Sequence, residues 1–136
     1  MTVRAEVAVA GEAILVVDDN AANLKLARVL LQSEGYEVRT APDAEGALQL
    51  LQSFTPRLIL MDIQLPGMDG LELTRRLKAD SATKDIVILA LTAYAMKGDE
   101  EKARAAGCDG YVAKPIDIDS LPRVIAEHLR SQGDAP

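Results

Sequence analysis

The segment LILMDIQLPGMDG, residues 58–70, decides the fold class of this chain. Its first four residues are all apolar, which predicts a strand that is buried on both faces, and Asp62 closes that strand. Residues 64–70 include two glycines and one proline, a composition typical of a loop. A helix is predicted over about 71–79, so the segment indicates a buried strand, a loop and a helix in succession.

The same unit of an apolar strand followed by a helix recurs along the whole chain. The run over 36–41 alternates apolar and polar residues, which is typical of an edge strand with one exposed face. Gly35 and Gly107 are predicted to end the first and fourth helices, and Asp43 to cap the start of the second. Strands are predicted at 14–17, 36–41, 58–61, 86–91 and 110–113.

This fivefold alternation predicts an α/β fold, a doubly wound parallel sheet with helices on each face. No internal repeat or interior linker interrupts it, so we expect one domain with flexible tails at 1–11 and 132–136. The start of the last helix stays open, because Asp117 and the pair Asp119 and Ser120 are both suitable caps.

The composition excludes several classes of partner. The chain has 136 residues, 49% of them hydrophobic and 26% charged, and a net charge of −6 that would repel nucleic acid. No apolar run approaches the roughly 18–20 residues that span a bilayer, so neither a membrane span nor a signal peptide is expected. The single cysteine, Cys108, excludes an internal disulfide and a cysteine-based zinc site. We therefore expect a cytoplasmic protein.

Polar side chains are predicted to gather at one edge of the sheet. In an open parallel sheet, ligands bind outside the carboxyl ends of the strands. The strand at 36–41 ends in Thr40 and Ala41, without a polar group suited to binding or catalysis. Each of the other four strands ends in such a group at that edge. These groups are Asp18 with Asp19, Asp62, Thr92 and Lys114.

Three carboxylates at one edge repel each other, by on the order of 4 kcal/mol for a pair about 4 Å apart. Either a raised pKa on one acid or a bound cation relieves that cost, and hard oxygen ligands suit Mg²⁺ or Mn²⁺. Mg²⁺ commonly shares its ligand shell with phosphate, which indicates phosphoryl chemistry. Asp62 is then the best candidate for a nucleophile, while Thr92 and Lys114 would hold phosphoryl oxygens.

The chain contains four motifs at the ends of its predicted strands: VVDDN at 16–20, LILMDIQLPGMDG at 58–70, ALTA at 90–93 and YVAKPID at 111–117. Together they resemble the receiver domain of two-component response regulators, over about residues 12–131. The stretch 93–117 is most similar to single-domain regulators of the chemotaxis and cell-division type, and to receivers fused to hybrid kinases. The resemblance implies a flavodoxin-like (βα)5 fold with strand order 2-1-3-4-5.

The resemblance also implies a function. Asp62 would be the phosphoacceptor, Thr92 would bind a phosphoryl oxygen and Lys114 would pair with the phosphate. The donor would be a histidine kinase or a histidine phosphotransfer protein, and output would go to a downstream protein that the sequence does not identify. We expect a stand-alone response regulator, a monomer or weak dimer, that turns over no small molecule.

A metal site follows from the same resemblance. Asp19, Asp62 and the backbone carbonyl of Gln64 would contact Mg²⁺, and Asp18 would act mainly through water. Taken alone, Asp18 and Asp19 have a simpler interpretation as a capping pair for the next helix.

The resemblance further implies a switch. Phosphorylation would draw Thr92 inward, and the ring of Tyr111 would fill the space, changing the surface of the fourth helix, fifth strand and last helix. The alternative is that Tyr111 is a static, half-buried aromatic. Tyr94 is a candidate for controlling the access of water to the phosphoryl group, with an ordinary surface role as the alternative. The Lys114–Pro115 bond is expected to be cis, as in about 5–6% of X–Pro bonds.

Three other functions fit this pattern less well. A flavodoxin-like electron carrier needs a loop rich in glycine and hydroxyl groups after the first strand, whereas DDNAAN at 18–23 is acidic and has neither. A dinucleotide site fails because no glycine lies between Gly11 and Gly35. A Mg²⁺-dependent phosphohydrolase usually carries its nucleophile on the first strand and needs a cap domain or a long insertion, and this chain shows neither.

Overall fold

The computed structural model describes residues 12–65, 67–92 and 97–133, and within them five strands alternate with five helices. The strands are β1 (Ala13–Val17), β2 (Glu37–Ala41), β3 (Leu58–Asp62), β4 (Val87–Thr92) and β5 (Gly110–Ala113). The helices are α1 (Ala21–Ser33), α2 (Ala44–Leu51), α3 (Gly70–Ala79), α4 (Lys97–Ala106) and α5 (Leu121–Gly133).

The five strands form one parallel sheet in the order β2-β1-β3-β4-β5. The central strand β3 pairs on both sides, so that Met61 lies opposite Val17 of β1 and opposite Ala90 of β4. The edge position of β2 agrees with its alternating sequence. The predicted fold class and strand order are therefore confirmed.

Because all the strands run in one direction, their carboxyl ends lie together at one edge of the sheet. We call this the carboxyl edge; it is formed by Val17, Ala41, Asp62, Thr92 and Ala113. The opposite, amino edge is formed by Ala13, Glu37, Leu58, Val87 and Gly110.

Both faces of the sheet are buried. Alternate residues of β3 point to opposite faces, so Ile59 and Met61 pack with α2, α3 and α4, while Leu58 and Leu60 pack with α1 and α5. All four side chains are fully buried. This two-sided burial is the physical reason for the uninterrupted apolar run in the sequence.

The start of α2 and the ends of α1 and α4 follow the sequence prediction. The carboxylate of Asp43 accepts a hydrogen bond from the amide of Gly46 (2.7 Å) and so caps α2. Gly35 and Gly107 follow α1 and α4 with φ values of 99° and 109°, in the left-handed region that favours glycine.

The start of α5, which the sequence left open, uses two groups. The carboxylate of Asp117 accepts hydrogen bonds from the amides of Asp119 (2.8 Å) and Ser120 (3.4 Å). The carbonyl of Ser120 then accepts from the amide of Val124 (3.0 Å). Asp117 thus supplies the capping side chain, while Ser120, the residue before α5, contributes its backbone carbonyl as a hydrogen-bond acceptor.

Five strand boundaries differ from the prediction by one residue: β1 begins at Ala13, β3 ends at Asp62 and β4 ends at Thr92, while the starts of β2 and β4 each fall one residue later than predicted. The amide of Ile86 donates to the carbonyl of Thr83 (3.0 Å), so Ile86 belongs to a turn and β4 begins at Val87. The amide of Tyr36 donates to the carbonyl of Leu31 (3.2 Å), which closes α1 and leaves β2 to begin one residue later. In both cases a local turn bond replaces the first predicted ladder bond.

Within the described residues, no helix is both long enough and apolar enough to cross a membrane. The proposed tails at 1–11 and 132–136 lie mostly outside the described residues, and α5 extends to Gly133. The tails stay predictions.

Candidate functional site

Folding brings the predicted polar groups together at the carboxyl edge. Asp18 directly follows β1 and Asp62 ends β3, while Thr92 ends β4 and Lys114 directly follows β5. Backbone bonds hold these strand ends in place. The amide of Asp18 donates to the carbonyl of Ala41 (3.1 Å), and the amide of Lys114 donates to the carbonyl of Thr92 (2.7 Å).

Three carboxylates form an acidic cluster at this edge. One oxygen from each of Asp18, Asp19 and Asp62 lies within 4.8 Å of the other two. Asp18 and Asp62 are only 0% and 2% exposed, whereas Asp19 is exposed to solvent. Two of the three negative charges are therefore held away from bulk water, where their mutual repulsion is least screened.

The buried position of Asp18 is supported by two asparagines. Its carboxylate accepts hydrogen bonds from the amide of Asn20 (2.9 Å) and the side-chain amide of Asn23 (3.3 Å). Asn20 itself caps α1 by accepting from the amide of Asn23 (3.1 Å). The alternative interpretation of Asp18 and Asp19 as the capping pair is therefore wrong.

The carboxylate of Asp62 is held through both of its oxygens. Oδ1 accepts a hydrogen bond from the amide of Gln64 (2.9 Å), and Oδ2 accepts one from Nζ of Lys114 (3.0 Å). Burial raises the pKa of Asp62 above its usual value of 3.8, and the charge of Asp18 adds to this, against the opposing effect of the two hydrogen bonds. The side chain is thus oriented, and its charge is costly.

Lys114 is the cation of the cluster. Its Nζ lies 3.2 Å from Oδ2 of Asp18 and 3.0 Å from Oδ2 of Asp62. Burial lowers the pKa of Lys114, but the hydrogen bond to Asp62 and the charges of both acids outweigh burial and raise it overall. One ammonium against three ionised carboxylates leaves about two negative charges uncompensated.

This donor set fits Mg²⁺. The available side-chain ligands are hard oxygens, and the uncompensated charge matches a divalent cation. Asp18 already has three hydrogen-bonding partners. Its action on the metal through water, with Asp19 and Asp62 in direct contact, stays a prediction.

The remaining predicted residues are placed near this cluster or lie outside the described part. Thr92 is fully buried at the end of β4, and Tyr111 is half-buried on β5, opposite Ala90. The Lys114–Pro115 peptide bond is cis. The roles of Thr92, Tyr111 and the Gln64 carbonyl stay predictions, and Tyr94 lies outside the described residues.

Sequence reasoning missed three supporting residues. Asn20 and Asn23 hold Asp18, and an asparagine directly before an apolar helical pattern, as at Asn20, is a capping signal that was available. Gly70, interpreted only as a turn former, packs directly against the backbone of Asp62. No local signal distinguishes that contact from an ordinary turn.

Comparisons with known proteins agree with this geometry. A family model described as "Response regulator receiver domain" matches residues 14–126. The chain is 45% identical over 124 residues to the polar-differentiation response regulator DivK of Brucella anthropi, covering 91% of this chain and 98% of that protein. It is 47% identical over 125 residues to DivK of Brucella ovis, with the same coverage.

Solved structures are similar over nearly the whole chain. A CheY-like receiver domain protein from Methanospirillum hungatei matches with a TM-score of 0.83 and 33% identity, covering 90% of this chain and 96% of that one. The receiver domain of the sensor histidine kinase PA1611 from Pseudomonas aeruginosa, solved with a magnesium ion coordinated in its active site cleft, matches with a TM-score of 0.81 and 36% identity, covering 89% and 99%. This chain belongs to the family of response regulator receiver domains.

Proposed function

We propose that this receiver domain accepts a phosphoryl group on Asp62 from a phosphohistidine protein, in a site completed by Mg²⁺. One observation carries the proposal: the Asp62 carboxylate is buried and held through both oxygens, by the Gln64 amide and by Lys114. An oriented carboxylate beside a fixed ammonium suits nucleophilic attack on an anionic phosphoryl group.

The proposed reaction is a simple exchange of bonds. A carboxylate oxygen of Asp62 forms a bond to phosphorus, the bond between phosphorus and the donor imidazole nitrogen breaks, and its electron pair stays on that nitrogen. Lys114 neutralises charge on the phosphoryl oxygens, and the hydroxyl of Thr92 donates a hydrogen bond to one of them. Mg²⁺, held by Asp19, Asp62 and the Gln64 carbonyl with Asp18 acting through water, would neutralise further negative charge.

We assign the protein to signalling rather than to metabolism. The donor is a histidine kinase or a histidine phosphotransfer protein, and the proposed location is the cytoplasm. The similarity to DivK supports a response regulator that acts through a downstream protein partner. Water would hydrolyse the aspartyl phosphate slowly, which returns the domain to its resting state without turnover of a small molecule.

Output is proposed to pass through the face formed by α4, β5 and α5. The end of β4 is joined to the end of β5 by the short hydrogen bond from Lys114 to the Thr92 carbonyl (2.7 Å). A charge-assisted hydrogen bond from Thr92 to a phosphoryl oxygen contributes roughly 1.5–3 kcal/mol. Movement of Thr92 would open space for the ring of Tyr111, one strand away.

Acetyl phosphate with Mg²⁺ tests the acceptor. Intact mass should show one alkali-labile phosphoryl group on the wild type and none on Asp62→Asn, which is nearly isosteric. Asp43→Asn is the matched control, because it makes the same change in a helix cap at the same edge and should label normally. Normal labelling of Asp62→Asn would refute the assignment.

NMR tests the switch. Beryllofluoride, a phosphoryl mimic, should shift amide resonances across α4, β5 and α5 in the wild type. Thr92→Ala should still accept phosphate at Asp62 but lose most of the distant shifts. If Thr92→Ala propagates the full change, Thr92 is not the coupling residue.

A further inference from the structure

The first residue of α3 has no room for a side chain. A Cβ atom built on Gly70 would lie 2.1 Å from the carbonyl oxygen of Asp62 and 2.8 Å from Cα of Ile63. Real Cβ atoms do not approach backbone so closely. Gly70 is not among the described glycines with positive φ, so the requirement here is for space and not for an unusual backbone conformation.

The backbone of Asp62 is poorly placed to move away from such a side chain. It ends the central strand β3, opposite Leu91 of β4, and the next amide, of Ile63, donates to the Leu91 carbonyl (3.1 Å). Since β3 is paired on both sides, a side chain at position 70 would displace the start of α3 and the loop that leads to it.

That loop carries the amide that orients Asp62. The Gln64 amide donates to Oδ1 of Asp62, and the Gly70 amide bonds back to the carbonyl of Ile63 (3.4 Å). Asp69 caps α3 by accepting from the amide of Glu72 (2.8 Å). Hydrogen bonds therefore constrain this loop both where it leaves β3 and where it enters α3, and Gln64 lies between these two points.

We propose that Gly70 is a positioning residue for the acceptor site: its missing side chain lets α3 begin against the Asp62 backbone, and this close approach holds Gln64 beside the Asp62 carboxylate. Gly70 touches neither phosphate nor metal itself. The inference rests on the proposed function for its consequence, but its structural part, the position of the Gln64 amide, holds independently of phosphorylation.

The variant Gly70→Ala tests the proposal against Gly46→Ala. Gly46 is also near the start of a helix at the carboxyl edge, but a Cβ there would meet side-chain atoms and no backbone within 3.5 Å: Asp43 at 3.2 Å, Pro42 at 3.4 Å and Ala41 at 3.5 Å. In metal-free protein, hydrogen exchange of the Gln64 amide should be at least tenfold faster in Gly70→Ala than in wild type, with Leu60 in β3 as the internal reference. Mg²⁺ affinity, measured by amide shifts on titration with the metal alone, should fall about 10–100-fold. Gly46→Ala should match wild type in both measurements.

A second pair of variants applies if Gly70→Ala does not fold, as checked by circular dichroism. Asp69→Ala removes the cap of α3 and Asp43→Ala removes the equivalent cap of α2, so charge and capping losses are matched. Asp69→Ala should speed exchange of the Gln64 amide and weaken Mg²⁺ binding at least threefold more than Asp43→Ala.

The outcomes separate this inference from the proposed function. Wild-type exchange at Gln64 in a folded Gly70→Ala, or equal effects of the two cap removals where Gly70→Ala is unfolded, would overturn the role of Gly70. A wild type that binds no Mg²⁺ and gains no phosphoryl group would overturn the proposed function, while the exchange measurement would still decide the position of Gln64.

Discussion

The sheet carries a lysine–aspartate pair at each edge, and the two pairs have opposite surroundings. At the amino edge, Nζ of Lys78 lies 2.9 Å from Oδ2 of Asp109 and also donates to the carbonyl of Ile86 (2.8 Å). The same Asp109 oxygen accepts from the amide of Ile88 (2.8 Å). One positive and one negative charge are matched there, and both are tied to the backbone.

At the carboxyl edge the charges are not matched. Lys114 serves two buried acids, and Asp19 adds a third carboxylate. The side chains of Lys114 and Asp62 are 17% and 3% exposed. Those of Lys78 and Asp109 are 21% and 42% exposed. The lysine–aspartate pair at the amino edge is thus stabilising, whereas the carboxyl edge keeps repulsion among its carboxylates that a bound cation would reduce.

Removing each lysine gives the largest expected difference between the edges. Lys114→Met leaves buried carboxylates without a cation and should lower the free energy of unfolding of the metal-free protein by about 3 kcal/mol. Lys78→Met breaks a more exposed pair and should cost only about 1 kcal/mol. Urea unfolding without Mg²⁺ measures both. Equal losses would mean that the Lys114 cluster is no more dependent on its cation than the Lys78–Asp109 pair.

Replacing each aspartate by asparagine should give effects of opposite sign. Asp62→Asn removes repulsion among the acids and should stabilise the metal-free protein by about 1–3 kcal/mol. Asp109→Asn removes only attraction and should destabilise it by about 0.5–1.5 kcal/mol. Thermal unfolding in EDTA provides the comparison, and a destabilised Asp62→Asn would contradict the picture of stored repulsion.

The free energy of unfolding should depend on pH in a way that shows the same cost of the Asp62 charge. The pKa of Asp62 is raised in the folded state, first by burial, so protonation of Asp62 favours folding. Its contribution is fully present below the usual value of 3.8 and is lost as the pH rises through the higher folded pKa. The stability gain of Asp62→Asn over wild type should therefore grow across that window and level off above it. A gain that does not vary with pH would mean that the Asp62 charge is not its source.

These contrasts show what the sequence could and could not predict. The apolar run of β3 predicted a central strand because only two-sided burial suits four apolar residues in succession. The placement of Asp62 and Lys114 at one edge followed from the shared direction of parallel strands. The position of a residue at a strand end predicts the edge of the sheet on which it lies, but not its distance from other side chains there. The sequence therefore did not predict that Lys114 contacts both Asp18 and Asp62.

The amino-edge pair shows the same limit more clearly. Lys78 and Asp109 lie 31 residues apart, on a helix and before a strand, and each has the local sequence of an ordinary surface residue. Gly70 is similar, because the space that its missing side chain leaves is occupied by the backbone of Asp62 and Ile63. The residues next to Gly70 in the sequence do not indicate that approach. Contacts between elements depend on how the elements pack, which periodicity does not encode.

The smallest expected effect concerns Asp19, the exposed member of the acidic cluster. Its charge adds to the repulsion, but water screens an exposed carboxylate, so Asp19→Ala should stabilise the metal-free protein by only about 0.2–1 kcal/mol, less than Asp62→Asn. Its effect on the metal should be much larger, because Asp19 and Asp62 are the two side chains proposed to contact Mg²⁺ directly. Calorimetric unfolding with and without Mg²⁺ separates the two effects: the metal should raise the melting temperature of the wild type and leave that of Asp19→Ala almost unchanged. An Asp19→Ala protein that is clearly destabilised without metal would remove Asp19 from the repulsive cluster, and one that Mg²⁺ stabilises as much as the wild type would remove it from the metal site.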